Sequence, residues 1–345
     1  PPPQLINAAA TPHDESVGMT LTVTDGVNTV AVPVNIPVSP SPVYTAATVT
    51  NITDPSAVVT SVTRAYVADR STGKITVFDT TTNTVITTFA AGTGPDGLAV
   101  KADGTRLYVS SSTGNTVTVI DTKTNTVKAT VAVTNPTALT MNPSGSTVYV
   151  ANGATGTVTK ISTSTNKTAG TVALAGGLTP GELAVSADGK TIFVVSAKAT
   201  GGGTISSFSS TGSVATSIAD IGGTPVGLAV DSVYKLVYVA DASGGLTVVD
   251  LGAHTTGTLD LGQPLSGIAL TKDRSALMVT TSTGLVAALR TSDGAVVGVA
   301  DSGVAATSAQ SGTVLTPDGT QMWVTDPLNG TVRVVSLVPQ NKAPF

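Results

Sequence analysis

The chain contains no cysteine, which excludes a disulfide framework, a thiol nucleophile and a cysteine-ligated metal. Histidine is nearly absent as well: His13 and His254 are the two in 345 residues. His254 falls in a polar turn and His13 in a proline-rich leader, so both are expected to be solvated. A Ser–His–Asp system or a histidine-held metal has little material here. Charged residues make up 11% of the chain and aromatics 3%. The net charge is −4 and no run of Lys or Arg stands out, so the basic stripe that nucleic-acid binding requires is missing. Mean hydropathy is +0.30, yet no apolar run approaches the roughly 18 residues of a spanning helix. Neither a nucleic-acid partner nor membrane insertion is expected. Long runs of Leu, Glu and Lys are also lacking. In their place stand 36 Gly, about 60 Thr and many Val. Thr and Val suit pleated strands and Gly suits tight turns, so the chain reads as all-β.

A short motif, a β-branched or aromatic strand followed by a polar turn and a second alternating strand, returns seven times. Its anchors are Tyr66, Tyr108, Tyr149, Phe193, Tyr238, Met278 and Trp323. A period of about 40 residues is the signature of a β-propeller with one four-stranded antiparallel blade per repeat. The second repeat shows the unit most cleanly. Strand A is 97–100, strand B 106–109, strand C 116–121 and strand D 126–133. Asp103-Gly104, Ser144-Gly145, Asp188-Gly189 and Asp318-Gly319 form the A–B turns, because these residues tolerate positive φ. Asp79, Asp121 and Asp250 end C strands, where a carboxylate accepts turn N–H groups. The A strands carry small residues, as expected where sheets converge on an axis. The last repeat lacks a D strand, and an unpaired run lies upstream at 44–50. Inserting that run as the outer strand of the last blade closes the ring and removes an exposed edge.

Residues 1–43 differ in composition. They are rich in Pro and hold one hairpin signal, 19–34, with Asp25-Gly26 as a two-residue turn. The start at Pro1-Pro2-Pro3 has no basic and apolar leader, as expected of a chain that continues an upstream segment. The expected organisation is a leader with hairpin and linker at 1–43, a single propeller at 44–338, monomeric as a domain, and a short linker at 339–345.

The motif stands as Leu107-Tyr108-Val109-Ser110, Val148-Tyr149-Val150-Ala151-Asn152 and Val237-Tyr238-Val239-Ala240-Asp241, with Thr-Asn turns after strand C. Over roughly 55–337 it resembles the YVTN family of bacterial propeller repeats. The hairpin resembles the closing strands of Ig-like or cadherin-like modules of bacterial surface proteins. The resemblance implies a secreted or surface-attached protein, and some related propellers are lactonases. The sixth repeat departs most, with Met278 at the aromatic position.

Propeller D–A and B–C loops share one face. Asp54, Asp96, Asn135, Glu182, Gln263 and Gln310 in D–A loops, and Asp69, Arg70, Asn152, Lys198, Asp241 and Asp326 in B–C loops, are therefore candidates to ring the channel mouth. Such oxygen donors suit a hard cation such as Ca²⁺, or they are simply solvated loop ends. Asp96 and Glu182 stand out, each at the opening of an A strand behind a nearby Pro. Three functions compete. One is a non-enzymatic secreted or cell-surface module for adhesion, binding a protein or envelope ligand. Another is a divalent-metal lactonase-like hydrolase using Glu182 and Asp96 with metal-activated water. The third is an inert spacer.

Overall fold

A computed structural model describes residues 16–24, 29–37, 46–49, 52–301 and 312–337. The predicted features at His13, Asp25-Gly26 and Gln310 lie outside the described residues. Seven four-stranded antiparallel sheets follow one another along the chain, the first six each from four consecutive strands. The fourth blade, for example, consists of Leu178–Val185, Thr191–Lys198, Gly203–Ser209 and Thr216–Ile221. The protein is thus an all-β, seven-bladed propeller, as its repeat predicts.

The B strands explain why the blades pack as they do. In Arg106–Ser111 five consecutive residues are buried, because the strand lies between two neighbouring blades. Side chains alternate across a strand. Leu107 and Val109 join Tyr66 and Ile75 of the preceding blade. Tyr108 turns the other way, onto Val148, Val150 and Ile161 of the following blade. The same alternation recurs at every seam, so the core is divided into seven apolar clusters, one between each pair of adjacent blades. None of the seven anchors is more than 3% exposed. They are core side chains, each facing the next blade.

Turn chemistry follows the predicted pattern. Gly104, Gly145, Gly189 and Gly319 have φ near +70°. Asp79 accepts the N–H groups of Thr81 and Thr82, and Asp250 those of Gly252 and Ala253. Asn83, Asn125, Asn166 and His254 occupy the positive-φ position of their C–D turns. His254 is therefore an exposed turn residue.

The ring closes by strand exchange. Ala46–Val49 pairs antiparallel with Thr331–Ser336 and completes the seventh blade, with Val49 opposite Val332. Val49 and Ile52 then enter one cluster with Trp323, Phe78, Val58 and Val334. Trp323 and Phe78 meet across this last seam at 5.6 Å between ring centroids and 49° between planes. The outer strand of blade seven is thus supplied from ahead of blade one.

Ser16–Thr24 and Thr29–Pro37 form a separate two-stranded sheet. Its register corrects the predicted turn. Thr24 pairs with Thr29, so four residues rather than two connect the strands. In this register Val23 stands opposite Val30, Leu21 opposite Val32 and Met19 opposite Val34. A two-residue turn at Asp25-Gly26 would set Val23 opposite Asn28.

Candidate functional site

The innermost strands of all seven blades surround a central cavity of about 560 Å³, lined by Val58, Leu98, Leu139, Leu228, Ile268 and Thr313 among others. Arg70, Ser112 and Pro327 also line it, which places its mouth at the B–C loop end. The strands approach so closely that side chains are excluded at defined points. A Cβ on Gly97 would lie 2.5 Å from the Thr137 carbonyl oxygen, and one on Gly267 2.5 Å from Thr313 Oγ1. Hydroxyls stitch neighbouring inner strands together. Ser56 Oγ donates to the Pro95 carbonyl at 2.6 Å, and Thr60 Oγ1 to the Leu315 carbonyl at 2.8 Å.

Several A strands carry a proline at or near their start, followed by a one-residue bulge, as at Pro55, Pro136, Pro180 and Pro225. Proline has no N–H to give to the ladder, so it suits such an irregular start, and a bulge re-aims the side chains within it. In blade four the bulge holds Gly181 and Glu182. Glu182 therefore sits within strand A rather than at a loop end, and its side chain lines the cavity.

Charged side chains in the lining are Arg70, Asp96 and Glu182. Arg70 Nε and Asp96 Oδ1 form an ion pair at 3.0 Å. The other oxygen of Asp96 accepts the Ser112 N–H at 2.8 Å and the Ser112 hydroxyl. Both oxygens of Asp96 are thus engaged and the group is fixed at the rim. Glu182 is different. Among the described residues no hydrogen bond or ion pair reaches its carboxylate. Removal from bulk water raises its pKa above the ordinary carboxylate value. It is the cavity's one charge without a protein counter-charge among the described residues.

Of the twelve candidates, Arg70, Asp96 and Glu182 line the cavity, and the other described ones do different work. Asp69, buried, accepts the Ser71 hydroxyl and the N–H groups of Thr53 and Thr72. Burial raises its pKa, but those hydrogen bonds outweigh it and hold the carboxyl below its usual range. Asp241 accepts Ser243 N–H and Gly245 N–H at 2.8 and 3.1 Å. Asp326 accepts Asn329 N–H and Asn329 Nδ2. These three aspartates turn back onto their own B–C loops, because the N–H groups of a tight turn are the nearest donors. Asp54 and Asn135 do not line the cavity: the Asp54 carbonyl accepts Arg70 N–H, and Asn135 sits at φ +46° beside Gly153. Gln263 accepts the Thr283 hydroxyl, Asn152 donates to Thr157 and Thr159, and Lys198 pairs with Asp220 at 2.6 Å. Among the described residues no three His, Cys, Asp or Glu side chains converge as a metal-holding group. Among the described residues, the acidic side chains expected to ring a Ca²⁺ do not converge.

Sequence reasoning missed Ser112, whose serine hydroxyl carries no signal of its own, and the apolar collar below the mouth. It also missed a second hollow of about 350 Å³ between A–B and C–D turns, lined by Arg64, Arg106, Asp121 and Lys123. Arg106 and Asp121 are paired there at 2.8 Å, and Arg64 Nη1 donates to the Thr122 carbonyl at 3.3 Å.

No known family profile and no curated protein sequence matches the chain. Among solved structures, hydrazine synthase of Kuenenia stuttgartiensis is similar, with a TM-score of 0.75 and 16% identity over 84% of this chain and 97% of that one. At that identity the likeness concerns architecture. Among the described residues no helix is long and apolar enough to cross a membrane. What the comparisons share with this chain is the seven-bladed propeller of four-stranded antiparallel blades.

Proposed function

We propose that the protein is a non-enzymatic binding module, secreted or held at a bacterial cell surface, that engages an envelope or surface ligand at the mouth of its channel. The observation that carries this reading is the cavity itself. It is preformed, built by seven inner strands, and holds a fixed ion pair at its rim and, inside, a carboxylate without a partner among the described residues. Ligand sites are typically concave, mostly apolar cavities of about 300–1,000 Å³ with a few placed polar groups, and this cavity falls in that range. The surface location is supported by the sequence, through the YVTN-like repeats and the leading hairpin. Amide NMR with a fragment library tests the site. Perturbations at Val58, Gly97, Thr137 and Gly227 support it, whereas perturbations confined to outer strands such as Thr255–Asp260 sink it.

A lactonase-like hydrolase is the second reading, and the raised carboxyl of Glu182 favours it, since a general base works best when tuned upward. Against it, both oxygens of Asp96 are already committed to Arg70 and Ser112. Turnover of simple lactones with added divalent metals, abolished in Glu182→Gln, would replace the binding reading with this one.

A further inference from the structure

The A strands can be aligned through their pairing with the core anchors. The residue two places before the one opposite each anchor is Ala57, Gly97, Ala138, Gly227, Gly267 or Gly312 in six blades. In the fourth blade it is Glu182. The small residues follow from crowding. Besides Gly97 and Gly267, a Cβ on Gly227 would approach Ile268 Cγ2 to 2.8 Å, and one on Gly312 the Val58 nitrogen to 3.0 Å. A long acidic side chain at this level of the ring is thus a single exception.

That exception has a physical cost. Glu182 is half-buried in the cavity wall, where its carboxylate loses part of its hydration, and among the described residues no protein group supplies a partner. A bound cation would. Ca²⁺ demands 6–8 oxygen ligands, whereas the cavity offers one free carboxylate above walls of Val58, Leu98, Leu139, Leu228 and Ile268. An ammonium group with a short apolar body matches both features. Its charge meets Glu182 and its carbons meet the collar. At the rim Arg70 is neutralised by Asp96, so the entrance does not repel a cation.

We propose that the channel binds a small organic ammonium, with the Glu182 carboxylate as its counter-ion and the inner-strand aliphatic collar as the seat of its hydrocarbon part. The assignment rests on the channel being the binding site and names the class of ligand it takes.

Calorimetry on the full chain tests it with n-butylammonium, the neutral isostere 1-butanol and the anion butyrate, against wild type and Glu182→Gln. The substitution is isosteric and removes a charge from the cavity wall, so it leaves the fold intact, which a thermal melt confirms. Butylammonium is expected to bind wild type at least about tenfold more tightly than butanol or butyrate, and Glu182→Gln to lose at least about tenfold, roughly 1.4 kcal/mol. Equal affinity of wild type and Glu182→Gln for butylammonium overturns the proposal, as does absence of butylammonium binding. If butanol or butyrate binds both proteins equally and perturbs cavity amides, the ammonium assignment falls while the channel stands as the site. If ligands perturb outer strands alone, the channel falls with it.

Discussion

Trp323 is the side chain whose removal tests the ring closure most severely. It is fully buried, sits at the seam between the last and first blades, and contacts Phe78, which is also fully buried. Its Nε1 donates to Gln321 Oε1 at 3.2 Å, so the indole is both packed and satisfied. Truncating a buried Trp to Ala typically costs about 3–5 kcal/mol. Unfolding entropy near 60 °C is about 2.1 cal/mol/K per residue, so a ring of roughly 290 residues changes by about 0.6 kcal/mol per degree, and Trp323→Ala should lower Tm by about 5–8 °C. An aromatic pair contributes about 0.5–1.5 kcal/mol beyond its area, and a double-mutant cycle with Phe78→Ala should return a coupling of that size. Denaturant unfolding followed by far-UV circular dichroism measures both. A Trp323→Ala loss under about 1 kcal/mol, or no coupling to Phe78, would refute a packed closing seam.

Three further outcomes follow from the same structure. Deleting residues 1–50 removes the strand Ala46–Val49 and should lower Tm and red-shift the emission of Trp323, the only tryptophan, whereas deleting residues 1–40 should do neither; equal behaviour of the two would contradict closure by strand exchange. Gly97→Ala should cost about 1–3 kcal/mol by overpacking against the Thr137 carbonyl, and a neutral effect in a chemical melt would show that the inner strands are less crowded than described. Glu182 has a folded pKa raised by burial, so between its unfolded value and that raised value the folded state binds more protons and stability falls as pH rises. Glu182→Gln should therefore match wild type at about pH 4 and exceed it in Tm at about pH 8, with Arg70 and Asp96, the other charged groups lining the cavity, left unchanged; a constant difference between the two proteins across that range would mean that the carboxyl is not withdrawn from water.

Much of the architecture was legible because its signals are local and repeated. Tyr108 and Tyr149 mark B strands, Asp103-Gly104 marks a turn that needs positive φ, and a last repeat short of one strand announces the exchange with 44–50. The hairpin register was not legible, because sliding a strand by two residues keeps every side chain on its face and alternation cannot choose between the registers. The site was legible only in part. Asp69 and Asp326 adjoin the rim residues Arg70 and Pro327, but whether an aspartate points at the axis or back to its own turn depends on which N–H groups the loop leaves open. Asp96 escapes that fate because Arg70 and Ser112 hold it across the rim. The signal for Glu182 was visible as a charged residue at a strand level otherwise occupied by Gly or Ala; the bulge that aims it inward was not.

The central claim is that the Glu182 carboxylate faces the channel, without a protein partner among the described residues, and serves as its binding group. The chain contains two glutamates, Glu15 and Glu182, so selective carbon-13 labelling of glutamate yields two carboxyl signals, and Glu182→Gln assigns them. A pH titration by NMR should show the Glu182 signal titrating clearly above the ordinary glutamate value of about 4.3, and saturating butylammonium should draw it downward. A Glu182 signal that titrates at the ordinary value and does not respond to the cation would contradict the account.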